Sequence, residues 1–322
     1  MLRSNLCTGA VLFALISSVS GLGLPNRVAA EARPPLPAPR AITLEPASAD
    51  TLADVPLKAW LFEPPPGQAR GAAVVALHGC GGLYDRQGRI STRHRWGAER
   101  LVRQGFVVLM PDSFSTRGVR EICTQRYAQR TINTRVRSAD AKRALTFLTG
   151  HPHVRPDRVA LLGWSNGGST VLEALDRAQP QAPTRGPTSR FAKAVAFYPG
   201  CAAALRRTLV PDAPLLLLLG EADDWTPAQP CIDWVKRVGG PDPTRLALTV
   251  FPGAHHGFDG PGSSPRRRED VTNGVDGRGV TTGGHPEARQ LAWRQVLAWL
   301  QPLLEPTPPG VATTPSPSGS SD

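Results

Sequence analysis

Aromatic residues are scarce in this chain: they make up 6 % of 322 residues, with three tyrosines among them. The net charge is +11, which raises the question of nucleic acid or an anionic surface as partner. The arginines are scattered, however. No Lys/Arg-rich recognition helix is present, and no basic stripe is interleaved with aromatic rings for stacking bases. Nucleic acid is therefore not expected as a partner, and the charge reads as that of a basic enzyme. No internal repeat is found, which excludes a solenoid or array. Metal-ligand spacing is absent as well. In His151-Pro152-His153 a proline separates the two rings, and no cluster of carboxylates lies nearby. Neither a metal nor an organic cofactor is expected. Cysteine is sparse, with five in all.

Hydrophobic residues make up 40 % and charged residues 20 %, a globular balance for one large domain or two small ones. Residues 1–30 read as an export signal. Arg3 supplies a short positive region, Leu6 to Leu24 is apolar and rich in small residues, and Val28-Ala29-Ala30 offers a cleavage site. The Ser/Gly-rich second half of that stretch argues against a stable membrane anchor, as does the Pro-rich run after it. Residues 31–40 form an extended spacer, 41–304 a single domain and 305–322 a disordered Pro/Ser/Thr/Gly-rich tail. Removal of the signal, which contains Cys7, leaves Cys80, Cys123, Cys201 and Cys231. An even number in an exported chain points to disulfides.

Within the domain, short apolar runs alternate with helical spacings. Ile42–Leu44 and Leu57–Phe62 read as an edge hairpin. Ala72–Leu77, Phe106–Met110, Val159–Leu162, Ala194–Tyr198, Leu215–Leu219 and Leu246–Phe251 read as strands, most of them buried on both faces. Helices are expected over Thr92–Arg103, Arg135–Leu148, Ser169–Ala178, Gln229–Val238 and Pro286–Leu304. The apolar faces of two are Val136, Ala139, Ala144, Leu145 and Leu148, and Leu291, Trp293, Val296, Leu297 and Leu300. Residues 179–190 form a surface loop, and 259–285 show no element. Strands alternating with helices predict an α/β fold with a mostly parallel, doubly wound sheet and helices on both faces. Such sheets carry their sites at the carboxyl ends of strands.

One of those ends carries Gly163-Trp164-Ser165-Asn166-Gly167-Gly168. A Gly-x-Ser-x-Gly run between a strand and a helix is the sequence form of a sharp turn that lifts a nucleophile above a sheet. Gly163 and Gly167 lack the Cβ atoms that would clash with the incoming strand and outgoing helix. A serine hydroxyl needs a base, and the base needs an orienting acid. Glu221-Ala222-Asp223-Asp224 follows one later strand, and Ala254-His255-His256-Gly257-Phe258 follows the next. The order Ser, acid, His is the one this kind of sheet requires. An oxyanion hole needs two backbone N–H donors. Asn166 supplies one, and the glycine-rich turn His78-Gly79-Cys80-Gly81-Gly82 the other, with Cys80 preferred and Gly79 or Gly81 open. The loop bearing Arg117 and Arg120 also follows a strand end, where it could meet a substrate carboxylate, although a solvated loop is the plainer reading.

These motifs, with Gly220-x-x-Asp223 and His256-Gly257-Phe258, resemble the dienelactone hydrolase family of α/β hydrolases over roughly residues 55–304. The resemblance implies the α/β-hydrolase fold and picks Asp223 over Asp224 and His256 over His255, giving Ser165, Asp223 and His256 as the triad. Two positions depart from the family's founding enzymes: Ser165 stands where they carry Cys, and His78 where they carry a Glu. The expected activity is therefore hydrolysis of carboxylic esters or lactones through an acyl-serine. A prolyl-oligopeptidase-like peptidase or a polyester depolymerase is the alternative on the same fold, and a non-catalytic basic binding protein the alternative of another class. In this fold the strands before Cys80 and Cys123 are expected to be neighbours, and so are those before Cys201 and Cys231. The pairing expected is Cys80–Cys123 and Cys201–Cys231.

Overall fold

The computed structural model describes residues 35–46, 55–178, 190–239, 242, 244–262, 264–275 and 277–306. The expected export signal, the loop 179–189 and the tail beyond 306 lie outside the described residues. Eight strands form one sheet: β1 (Arg40–Leu44), β2 (Leu57–Phe62), β3 (Gly71–Leu77), β4 (Val107–Pro111), β5 (Val154–Trp164), β6 (Lys193–Phe197), β7 (Leu215–Gly220) and β8 (Leu246–Phe251). Their order is β1-β2-β4-β3-β5-β6-β7-β8. The first two pair antiparallel at one edge, and β4 to β8 are parallel. β1 begins at Arg40, the last residue of the expected spacer, and Leu36 already packs against the core.

Side chains alternate across this sheet because successive Cβ atoms of a strand point to opposite faces. Val159 and Leu161 of β5 join one apolar layer, while Ala160, Leu162 and Trp164 join the other. The first layer is covered by α2 (Thr134–Thr149), α3 (Asn166–Ala174), α4 (Ala202–Arg207) and α5 (Gln229–Val238). The second is covered by α1 (Thr92–Val102) and α6 (Pro286–Leu300). With both faces covered, the central strands can be apolar throughout, as their sequences are.

The structure revises several expected elements. α3 starts at Asn166, immediately after the turn, and ends at Ala174, because the helix N-terminus is part of the turn itself. α4 was not legible: six residues of Ala, Leu and Arg show too little periodicity. Residues 259–285 contain a two-stranded antiparallel hairpin, β9 (Arg266–Arg268) and β10 (Val280–Thr282). Its strands are three residues each, and Arg-Arg-Arg carries no strand pattern. On α6, Leu291 is 37 % exposed while Trp293, Val296 and Leu300 are buried. On α2, Ala139 is exposed while Arg137, Ser138 and Asp140 are buried. The inward face of α2 is thus partly ionic, where apolar spacing had placed alanine.

Cys80 bonds to Cys123 and Cys201 to Cys231. The first pair joins the loops after adjacent strands β3 and β4, and the second joins the start of α4 to α5. The sequence separations of 43 and 30 residues correspond to about 3–4 kcal/mol each from loop closure in the unfolded chain. Peptide mapping under non-reducing conditions should recover both links. Reduction should lower the melting temperature by several degrees, and a melting curve insensitive to reductant would show that neither link constrains the unfolded chain.

Candidate active site

The turn between β5 and α3 is built by close backbone contact. A Cβ on Gly163 would lie 2.3 Å from the Gly167 carbonyl oxygen, and a Cβ on Gly167 would lie 2.3 Å from that of Leu77. No other residue fits at either place. The approach drives Ser165 to φ 55° and ψ −118°, a left-handed conformation that costs a non-glycine residue about 1–3 kcal/mol. The Ser165 N–H donates to the Phe197 carbonyl at 2.9 Å, which ties the turn to the end of β6. The strained turn lifts the Ser165 hydroxyl above the sheet.

The loops after β7 and β8 bring the partners. They are joined to each other: Ala222 N–H donates to the Ala254 carbonyl at 3.0 Å. His256 Nε2 lies 2.9 Å from Ser165 Oγ, and His256 Nδ1 lies 2.8 Å from Asp223 Oδ2. Asp223 Oδ1 accepts from the N–H groups of Trp225 and Thr226 at 2.9 and 2.8 Å. Burial pushes the Asp223 carboxyl up, but the adjacent His256 and these N–H donors outweigh it and hold it below the usual carboxylate range. Asp223 is therefore a charged acceptor that fixes the proton of His256 on Nδ1 and leaves Nε2 free to accept. The His256 ring lies between Tyr198 and Trp225, with centroids 4.6 and 4.7 Å away.

The doubled neighbours have other partners. Asp224 accepts from Thr281 N–H at 2.8 Å and lies 3.5 Å from Arg267, so it anchors the β9–β10 hairpin. His255 Nδ1 lies 2.8 Å from the Ala222 carbonyl. The hairpin is also bonded to the line itself, since Gly283 N–H donates to the His256 carbonyl at 3.0 Å.

Over Ser165 lies a cavity of about 350 Å³. The turn Gly79–Gly82 and the Cys80–Cys123 disulfide form one wall. Neither Cys80 N–H nor Asn166 N–H donates to a protein group among the described residues. Arg93, Arg266 and Arg268 line the cavity, and among the described residues no acidic side chain does. Arg117, expected at the substrate, is instead paired through two nitrogens with buried Asp140 at 2.9 and 2.8 Å and does not line the cavity. Arg120 is exposed and also outside the lining. The arginines of the cavity thus come from α1 and from the hairpin, and not from the loop after β4.

Other residues at the site carried no sequence signal. Asp259 is fully buried and accepts from Trp164 Nε1 at 2.7 Å and from the Tyr198 hydroxyl at 2.6 Å. Arg93 donates to that hydroxyl at 2.8 Å and to the Gly257 carbonyl at 3.0 Å. This group braces the ring of Tyr198 against His256. His94, also in the lining, is held neutral: burial first, then Arg93, lowers its pKa to about 3. Position at the last residue of an expected strand was the available clue for Tyr198, and nearness to His256 for Asp259.

Residues 57–304 match the dienelactone hydrolase family model. No curated protein matches the chain. Among solved structures, esterase 2 of Thermogutta terrifontis phosphorylated by paraoxon is 18 % identical, with a TM-score of 0.56, covering 82 % of this chain and 95 % of that one. The same esterase with propionate bound is 19 % identical, with a TM-score of 0.55, covering 85 % and 98 %. A Klebsiella pneumoniae protein assigned to the dienelactone hydrolases is 16 % identical, with a TM-score of 0.58, covering 82 % and 99 %. At these identities the likeness to solved structures is one of fold.

The geometry separates the doubled residues experimentally. Asp223→Asn should lower ester turnover by about 10⁴, because an amide there favours the wrong histidine tautomer, and His256→Ala should be at least as severe. Asp224→Asn and His255→Ala should keep most of the activity. A reversed pattern in either pair would place the line one residue away. Because the Asp223 carboxyl ionises at lower pH than an ordinary one, the pH profile of the rate should show no limb from Asp223 in or above the usual carboxylate range.

Proposed function

The chain belongs to the dienelactone hydrolase family, and from that premise we propose that it is an exported carboxylic ester hydrolase working through an acyl-Ser165 intermediate. The observation that carries the reading is the bonded line from Ser165 Oγ through His256 to Asp223 beneath the cavity. In the first step Ser165 Oγ attacks the ester carbonyl while its proton moves to His256 Nε2. The carbonyl electrons collect on oxygen, where the N–H groups of Cys80 and Asn166 receive the charge. Asp223 stabilises the imidazolium. His256 then gives the proton to the departing alkoxide, which leaves as alcohol and the acyl group on Ser165. A water molecule, deprotonated by His256, repeats the sequence and frees the acid.

Arg266 and Arg268 at the lining, the latter also paired with Asp270 at 2.6 Å, support an ester or lactone that carries negative charge away from the scissile bond. The cavity volume supports a small molecule rather than a folded protein. Export is supported by the N-terminal pattern, with residues 1–30 as signal ahead of a hydrolase body at 41–304, and by the two disulfides, which persist in oxidising compartments. Among the described residues no helix is long and apolar enough to cross a membrane.

Two measurements test this. A fluorophosphonate probe, or paraoxon as in the Thermogutta esterase, should label Ser165, and Ser165→Ala should lose both labelling and at least 10⁴ of turnover, on the order of the loss when a triad member is removed. Undiminished hydrolysis by that variant would refute the assignment. p-Nitrophenyl monoesters of dicarboxylic acids should be preferred over neutral esters of equal length, and the double variant Arg266→Ala/Arg268→Ala should lose that preference. Equal rates for both in the wild type would remove the charge argument.

A further inference from the structure

Two buried side chains stand behind the proposed oxyanion donors and take no part in the proton line. His78 follows β3 and Arg137 lies on α2, and neither is exposed. Ser113 N–H donates to His78 Nε2 at 3.3 Å, while His78 Nδ1 lies 2.8 Å from the Gly79 carbonyl oxygen. An N–H at one nitrogen and a carbonyl at the other select the neutral tautomer with its proton on Nδ1. Burial, and then the neighbouring Arg137 charge, hold the ring's pKa well below the usual histidine value. In that tautomer the 3.4 Å approach of Arg137 Nη2 to Nδ1 is a contact between two donors and not a hydrogen bond.

The consequence follows from peptide planarity. The Gly79 carbonyl and the Cys80 N–H are the two ends of one trans peptide and point in opposite directions. The carbonyl accepts from His78 Nδ1–H and from Gly82 N–H, the latter at 3.2 Å. Holding the oxygen therefore aims the Cys80 N–H, and the bonds at oxygen polarise that N–H as a donor. Arg137 completes the device. Its Nη2 donates to the His78 carbonyl at 2.6 Å and its Nη1 to Asn166 Oδ1 at 2.5 Å. One planar cation so spans the loop after β3 and the first residue of α3, the two segments that carry the two donors. Phe114 lies beneath the guanidinium, 5.1 Å from its ring centroid. Burial lowers the Arg137 pKa to about 10, against the attraction of Asp140 and Asp112, so it remains charged at neutral pH.

We propose that Arg137, with His78, is the positioning device of the oxyanion hole, setting the direction and spacing of the Cys80 and Asn166 N–H groups. The proposal rests on the reading of Ser165 as nucleophile. It also gives His78 a role at the position where founding members of the family carry a Glu. Both side chains act through the segments that carry the two donors, so the transition state, and not the ground-state ester, should feel their loss.

The test compares substrate kinetics with binding of a trifluoromethyl ketone, to whose carbonyl Ser165 Oγ adds to leave an oxyanion in the hole. Arg137→Met should lower kcat by about 10²-fold, within the range for losing one oxyanion donor, with KM unchanged within about twofold. The inhibition constant of the ketone should rise by the factor by which kcat/KM falls. Arg137→Lys, which keeps charge but cannot span both segments, should fall between. Asn166→Ala, which keeps its backbone N–H, should also lower kcat, and the double variant with Arg137→Met should be no worse than Arg137→Met alone. Wild-type kcat and ketone affinity in folded variants would overturn the proposal, as would additive losses in the double variant. If Arg137→Met does not fold, Asn166→Ala decides by the same two readouts. If Ser165→Ala retains turnover, the functional reading itself fails. If Ser165→Ala is inactive while the Arg137 variants behave as wild type, only the positioning role fails.

Discussion

The close approach of Gly167 to the end of β3 is the contact on which the rest of the site depends. With no side chain at 167, the start of α3 sits directly on the carbonyls of Leu77 and His78. That single contact brings Ser165, the N-terminus of α3 and the turn after β3 together at one end of the sheet. It also forces the left-handed backbone at Ser165, a strain that the sheet core on both sides must hold. Adjacent parallel strands make this possible, because β3 and β5 run side by side with Leu77 opposite Gly163. Any residue with a Cβ at 163 or 167 would separate the serine from the turn, whatever else remained in place.

A second constraint assembles the other half. The loops after β7 and β8 bond to each other before they present any side chain, so Asp223 and His256 arrive as a pair. Charge is then distributed with some economy. Asp223 faces the ring, Asp224 faces outward to the hairpin, and Asp259 braces Tyr198 and Trp164 from below. Three neighbouring acids thus serve three different elements. The arginines divide in the same way: Arg117 pairs with Asp140, Arg137 is buried across the two segments it spans, Arg93 joins Tyr198 beside Asp259, and Arg266 and Arg268 reach the cavity from the hairpin, the latter paired with Asp270. A buried guanidinium carries a large desolvation cost unless it is bonded, and Arg137 offsets it with backbone and amide acceptors on both segments it spans.

The strands and the parallel sheet were legible in the sequence because each strand is a local and strong pattern, and the pairing of the cysteines followed from the strand neighbours that the expected fold implies. Short apolar runs without a polar gap are the pattern of strands buried on both faces. Ser165, Asp223 and His256 stood out because each closes such a run. The structure brings those three within hydrogen-bond distance. What was not legible depends on tertiary context. Arg137 and Asp140 occupy the inward face of α2, where apolar spacing favoured Ala139. Arg266 and Arg268 gain their place from a hairpin too short to leave a period-2 pattern. Tyr198 and Asp259 matter through partners far away in sequence. Arg117 followed a strand end, as the site residues do, yet the buried carboxylate of Asp140 draws it inward and away from the cavity. The rule that places sites at strand ends locates loops; it does not say which side chain of a loop turns toward the substrate.

The central claim is that Ser165 carries the acyl group during turnover. It is tested most directly by quenching the enzyme in acid during hydrolysis of a slowly deacylating p-nitrophenyl ester and mapping its peptides by mass spectrometry. The account predicts a stoichiometric acyl adduct on the peptide containing Ser165 and nowhere else, accompanied by a matching burst of p-nitrophenol. Steady turnover with no adduct under conditions where deacylation limits the rate, or an adduct on another residue, would contradict it.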